Sequence, residues 1–230
     1  MSFITLGYHI VNRAIDDIIA ISEELFEQHL RYLHLEGYVT LSLAQALADI
    51  NGETQAPARS VLLTFDDGYE DNARTVLPLL QAYGMRATEF VISGYIGRSN
   101  RWNPKAGYDT DHMTWGDLRA WYESGCDIGG HSHRHLCMTR LSLGELEETV
   151  RVNKDMLEKH LGVRLQAFAY PYGKFNQAVQ EVVRHHYEIA FAVDGGVWKA
   201  QVDRYAINRL NISPAWSVEH LAQQLADIRC

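Results

Sequence analysis

Apolar runs of strand length alternate with longer segments of helical period along almost the whole chain, and few folds accept that order. Residues 3–8, 60–65, 86–92, 126–130, 165–169, 189–193 and 205–210 read as strands. The run at 60–65 is largely β-branched and apolar, as expected of a strand buried on both faces. Between the strands, residues 22–36 place Phe26, Leu30 and Leu33 on one helical face, with Gly37 as a stop. Ser42…Gln45 and Ser142…Glu145 are capping boxes, and the second opens a helix whose stripe is Leu146, Val150, Leu157 and Leu161. Further helices run to Tyr83, from Thr114 to about Ser124, over 176–186, and onward from Ser217. Repeated strand-then-helix units predict an α/β fold with a parallel sheet. The length of 230 residues suits one domain over 1–230, an incomplete (β/α) barrel of about seven parallel strands.

Composition removes several classes of partner. The formal net charge of −8 offers nucleic acid no electrostatic footprint. The first residues lack a basic region followed by a long apolar stretch, and no apolar segment approaches the roughly 20 residues that span a bilayer. Cys126, Cys137 and Cys230 form an odd, sparse set without C-x-x-C spacing, which suits a reducing compartment. A cytoplasmic location is the expectation. Residues 93–113 form a long irregular stretch, a length that usually signals function or disorder.

In a parallel α/β fold the C-terminal ends of the strands meet at one face, and four of them here end in chemically useful residues. They are Tyr8-His9, Asp66-Asp67-Gly68, the run from His131 to His135, and Tyr170-Pro171-Tyr172-Gly173, with Arg209 near the end of the last strand. Adjacent residues on an extended segment point apart, so one of Asp66 and Asp67 can bind metal while the other faces substrate. Alone, Asp-Asp-Gly is also what a turn and helix N-cap would use. His131 and His135 are four apart, which puts both imidazoles on one side of a helical turn; a polar loop with surface histidines would read alike. An aspartate with two histidines and open positions is a recognised catalytic metal set. His133 falls on the opposite side of such a turn. Ser132 is placed to hold an imidazole or the backbone.

Thr64-Phe65-Asp66-Asp67-Gly68, His131-Ser-His-Arg-His135 and Phe168-Ala-Tyr-Pro-Tyr-Gly173 resemble the first three motifs of the polysaccharide deacetylase family, also called carbohydrate esterase family 4 or the NodB homology domain. The opening Gly7-Tyr8-His9, the segment Phe26…Leu30…Leu33…Gly37-Tyr38 and the late Arg204-Tyr-Ala-Ile-Asn-Arg209 resemble its poly-N-acetylglucosamine deacetylase branch. The resemblance implies a hydrolase removing N-acetyl groups from an N-acetylated sugar or polysaccharide. Asp67, His131 and His135 would hold one divalent metal, with zinc the first choice and cobalt or nickel the alternatives. Asp66 would act as general base on a water at that metal, and the Tyr172 N–H would face the oxyanion. Pro171 and Tyr172 would form part of the sugar groove.

Three departures accompany the resemblance. The family's third motif carries an arginine where this chain has Ala169, and Arg209 is the candidate to replace it from another strand. The late Leu-x-His that supplies the general acid has no clear counterpart: His220 precedes Leu221 inside a predicted helix, and His9 is the better-placed candidate. The poly-N-acetylglucosamine enzymes are exported, whereas the start of this chain predicts an internal substrate, such as a nucleotide-linked or lipid-linked sugar. Two other readings stand beside this one: an amidohydrolase acting on a small non-sugar N-acyl or cyclic amide, and a sugar-binding member without turnover. Trp102, Tyr108 and Trp115 are candidates for stacking on a sugar or for pinning the long loop. Asp194-Gly195-Gly196 is a turn that could reach the site, and Cys137 reads as a buried small hydrophobe rather than a ligand.

Overall fold

A computed structural model describes residues 3–100, 110–193 and 203–228. Strand β1 (Ile4–Tyr8) leads into a small parallel ribbon, β2 (Ile10–Val11) with β3 (Ala20–Ile21). Then come α1 (Glu23–Leu35), β4 (Val39–Thr40), α2 (Leu43–Ile50) and β5 (Ser60–Asp67). A π-helical turn (Asn72–Val76) runs into α3 (Leu77–Ala82), followed by β6 (Thr88–Val91), α4 (Trp115–Glu123) and β7 (Asp127–Gly130). The remainder is α5 (Leu143–Leu161), β8 (Ala167–Ala169), α6 (Gln177–His186), β9 (Ile189–Ala192), β10 (Ile207–Asn208), β11 (Leu210–Asn211) and α7 (Val218–Asp227).

The main sheet runs β10-β9-β8-β7-β6-β5-β1-β11, with every pairing parallel and β4 added beside the start of β5. Its two edges belong to one stretch of chain. Residues 207–208 pair with β9, residues 210–211 pair with β1, and only Arg209 lies between them. That segment nearly closes the sheet into a barrel, and counted as one stave it gives seven.

Alternation along the strands divides the core. Val61, Leu63 and Phe65 of β5 and Val91 of β6 join the layer between barrel and helices, where Leu30, Trp121, Val150 and Leu157 lie. Leu62 and Phe90 face the other way and pack with Ala167, Ala169, Ile189 and Phe191 in the barrel interior, while Phe3, Leu43 and Leu47 close its N-terminal end. Each large apolar side chain fully buried in this way contributes about 1.5–3 kcal/mol. The small residues of β8 leave room for the Phe90 and Phe191 rings, 5.4 Å apart. Helix starts follow the chain's own signals: the capping boxes at Ser42 and Ser142 form, Thr114 makes a third with Asp117, and Gly162 ends α5 at φ +71°. No helix of the described residues is long and apolar enough to cross a membrane.

Candidate active site

Parallel strands deliver their C-terminal ends to one rim, and a cavity of about 320 Å³ opens there, lined by His9, Asp66, Asp67, His131, His135 and Tyr172 among others. Asp66 and Asp67 end β5, whereas His131 follows directly on β7. Among the described residues, four non-glycine residues hold positive φ: Asp67 (+76°), Ser132 (+64°), His135 (+53°) and Tyr172 (+59°). All four belong to this rim. Left-handed backbone costs a non-glycine residue about 1–2 kcal/mol, so the surrounding packing imposes it.

Asp67, His131 and His135 each offer one donor atom, and the three atoms lie within 4.8 Å of one another. Both imidazole Nε2 atoms stand 3.3 Å from Asp67 Oδ1. Yet Oδ1 is buried and no contact to it has hydrogen-bond geometry, the signature of lone pairs turned towards a common centre. His131 Nδ1 donates to the Ala169 carbonyl at 2.8 Å, which leaves Nε2 to face the cluster. Burial, partly offset by Asp67, pushes His135 down to about 3, so it stays neutral and able to donate a lone pair. Burial would also lower His131, but the Asp66 and Asp67 carboxylates outweigh it and raise that imidazole. Burial would raise Asp67; the two facing imidazoles overcome this and hold it far below the carboxylate range. A buried carboxylate with two imidazoles, one acceptor atom left without a partner, fits a divalent cation.

Asp66 points into the barrel and meets Arg209. The guanidinium spans both carboxylate oxygens, at 2.7 Å from Oδ1 and 2.6 Å from Oδ2, and also donates to Thr64 Oγ1 at 3.1 Å. Its plane lies 5.6 Å from the Phe90 ring centroid. Desolvation would raise the Asp66 carboxyl, but Arg209, with His131 and His9, reverses this and keeps it below the usual range. His9 Nε2 stands 3.7 Å from Asp66 Oδ2 on the solvent side.

Two buried groups support this rim, and neither is singled out by the motifs. Glu89 on β6 is fully buried, accepts the Gly68 N–H at 3.0 Å and both approaches of the Asn72 amide, at 3.3 and 3.1 Å. Burial, with Asp66 nearby, raises its carboxyl well above the usual value. Asn153 on α5 donates to the carbonyls of Val91 (2.9 Å) and Ser132 (2.7 Å) and accepts the Tyr187 hydroxyl at 3.3 Å. A Cβ on Gly130 would collide with that hydroxyl and with Asn153 Oδ1. Both residues leave a trace in the sequence, as a glutamate inside an apolar strand and an asparagine inside the apolar stripe of α5.

The sequence pattern of the polysaccharide deacetylases matches residues 53–189. The chain belongs to the polysaccharide deacetylase family. It is 26% identical over 213 residues to YxkH of Bacillus subtilis (strain 168), whose name carries the same family, covering 92% of this chain and 72% of that one. It is 25% identical over 215 residues to the poly-beta-1,6-N-acetyl-D-glucosamine N-deacetylase of Staphylococcus aureus (strain MRSA252), covering 89% and 71%. Among solved structures, the Streptococcus pyogenes deacetylase PplD in complex with acetate superposes with a TM-score of 0.86 at 24% identity, over 98% of both chains, and so shares the fold.

His9, Asp66, Asp67, His131, His135 and Tyr172 line this cavity and Arg209 reaches Asp66, although several get there differently from the expectation and other candidates lie elsewhere. The 131–136 segment is not a helical turn. Left-handed Ser132 and His135 bend it, and Ser132 Oγ accepts the His135 N–H at 3.0 Å, so the loop rather than helical spacing brings the imidazoles together. His133 is held away from the cluster, 3.0 Å from Ser93 Oγ through Nδ1. Tyr8 and Tyr170 turn into the core: Tyr8 stacks 5.2 Å from Phe65 and bonds His29, and Tyr170 donates to the Tyr205 carbonyl at 3.0 Å. Pro171 is buried and Tyr172 half-exposed, with its ring 4.5 Å from His135. Trp115 stacks on His160 at 4.2 Å and is no part of the cavity, which corrects the sugar-stacking alternative for it. Cys137 is half-buried, not buried. His220 lies exposed in the first turn of α7 against Trp216. Trp102, Tyr108 and Asp194-Gly195-Gly196 fall outside the described residues.

Proposed function

We propose that this chain is a metal-dependent carbohydrate N-deacetylase, removing acetyl groups from an N-acetylated sugar. The observation that carries the reading is the orphaned Asp67 Oδ1 facing two imidazoles, with a second carboxylate, Asp66, beside it. Asp67, His131 and His135 would hold the divalent cation, with zinc the first choice and cobalt or nickel also compatible with the donors. A cation in that position supplies Lewis acidity towards the amide carbonyl and makes a neighbouring water more acidic.

The chain's own groups account for the protons. Asp66, ionised and immobilised by Arg209, accepts the proton from the attacking water as the new C–O bond forms. His9, 3.7 Å from Asp66, delivers a proton to the departing nitrogen as the C–N bond breaks. Acetate and a free amine result. Tyr172 and Pro171 present a wall to the sugar, and the Tyr172 N–H, by family likeness, faces the developing oxyanion.

The S. aureus relative named for poly-beta-1,6-N-acetyl-D-glucosamine supports N-acetylglucosamine as the sugar. Acetate release from N-acetylglucosamine oligomers, measured on chelator-treated protein reloaded in turn with zinc, cobalt and nickel, tests the proposal. Release only from small non-sugar amides would favour the amidohydrolase reading. Sugar binding without acetate under any loading would refute deacetylation.

A further inference from the structure

A second cavity, of about 430 Å³, adjoins the catalytic one and shares His135 and Tyr172 with it. Its remaining wall carries Arg134, Arg140 and Lys174, and among the described residues no carboxylate lines it. Three cations on one wall run against the chain's net charge of −8, although Arg134 also borders a smaller adjoining pocket that carries Glu145 and Glu148. Several surface arginines elsewhere pair with carboxylates, among them Arg13 with Glu24, Arg151 with Asp155 and Arg164 with Glu188, while others such as Arg31 form no ion pair among the described residues. Arg134, Arg140 and Lys174 make no ion pair and no side-chain hydrogen bond among the described residues. They come from the loops that follow β7 and β8, the loops that also carry His135 and Tyr172, so their place relative to the catalytic rim is set by the same backbone.

We propose that this cavity binds phosphate, and that the substrate is an N-acetylated sugar carrying a phosphate ester or a diphosphate link beside its acetamido group. The proposal rests on the deacetylase reading of the neighbouring cavity. Charge selects phosphate over carboxylate. Phosphate carries close to two negative charges and three strong acceptor oxygens, which two guanidinium forks and an ammonium can satisfy together. A lone carboxylate would leave most of that positive charge uncompensated. The half-exposed Tyr172 ring stands between the two cavities and offers a face to the sugar that bridges them.

Two measurements test this. Calorimetric titration of chelator-treated protein with inorganic phosphate removes any contribution from a bound metal. One site per chain is expected, weakened about tenfold or more when Arg134, Arg140 and Lys174 are all replaced by alanine. Absence of binding, or binding unchanged in that variant, overturns the proposal whatever becomes of the deacetylase reading. The second measurement compares kcat/KM on N-acetylglucosamine 1-phosphate, uridine-diphosphate-N-acetylglucosamine and the neutral N-acetylglucosamine dimer, using metal-loaded protein. A phosphorylated substrate is expected to lead the neutral one about tenfold, with the lead lost in the triple variant and kept in Arg31→Ala on α1. The first two arms separate a sugar monophosphate from a diphosphate-linked sugar. Equal rates on all three, or a lead that survives the triple variant, overturn the proposal. Failure on all three would refute the deacetylase reading, while the titration would still decide the cavity.

Discussion

Arg209 grips Asp66 through both guanidinium nitrogens although 143 residues separate them, because Arg209 is the single residue between the two short strands that bring the barrel's edges together. The residue that completes the barrel therefore also orients the candidate general base. Asp66 has no other cationic partner of that geometry among the described residues.

Arg209→Ala is expected to leave Asp66 buried without its cation, at a cost of about 3–5 kcal/mol in stability. With the carboxylate no longer held, kcat falls about a hundredfold at nearly constant KM. The acid limb of the pH–rate profile moves to higher pH, because desolvation of Asp66 is no longer outweighed by the guanidinium. Asp66 is lowered in the fold, so its stabilisation is present above about pH 4 and fades as pH falls through the lower folded value. Arg209→Lys should recover part of both losses. Unchanged kcat and an unmoved acid limb in Arg209→Ala would remove Arg209 from its positioning role.

Metal loading should raise the melting temperature of the chelator-treated protein. A cation at a hundred times its Kd adds about 2.7 kcal/mol to the folded state. His131→Ala and Asp67→Asn should lose that increment, as read by a thermal melt with and without zinc. A melting temperature indifferent to every divalent cation tried would argue against Asp67, His131 and His135 as the ligand set.

Glu89 provides a pH test. Its carboxyl is raised by burial, so its stabilisation is complete below about pH 4.3 and is lost as pH rises through the raised folded value. Glu89→Gln removes the titration while keeping the shape. Its amide oxygen can accept the Gly68 N–H, and its NH₂ can donate to the Asn72 oxygen, which has no partner in the native arrangement, once the Asn72 amide turns over. Denaturant melts between about pH 5 and pH 9 should show the wild type losing stability relative to the variant. Parallel curves would show that Glu89 does not titrate in that window.

Asn153→Ala is expected to cost about 1–3 kcal/mol, because it removes the amide's bonds to the Val91 and Ser132 carbonyls, which keep only the His131 and Ser93 N–H groups, and leaves the buried Tyr187 hydroxyl without its acceptor. The Ser132 carbonyl belongs to the loop that carries the histidines. Zinc affinity should therefore fall together with stability, and a variant with normal zinc binding would confine Asn153 to structure.

Much of the architecture was legible before any coordinate. Ser42, Thr114 and Ser142 open the helices they were expected to open, and Gly37 and Gly162 end theirs at positive φ. These signals are local, set by hydrogen bonds three or four residues away. The continuous apolar run before Asp66 announced a strand covered on both faces, and that alone placed two carboxylates at a rim. Expectation and structure part company where local logic was extended too far. Four-residue spacing suggested a helical turn for His131 and His135, but Ser132 and His135 in left-handed backbone make a loop that no propensity would assign. Trp115 finds His160, a neighbour across two helices, and no sequence spacing shows that pairing.

What the order of residues determined unaided was the parallel α/β plan and the identity of the chemically competent side chains, because strand and helix periods and strand-end residues are written within a few positions of one another. Tertiary structure alone decided which of those side chains share a site. Closing the barrel brings Arg209 to Asp66, the Gly130 gap admits Asn153, and Glu89 lies beneath Gly68. Contacts between residues so far apart in the chain are made only when the whole sheet curves, since it is the buried surface of every strand together that sustains the strained backbone and desolvated charges of the rim.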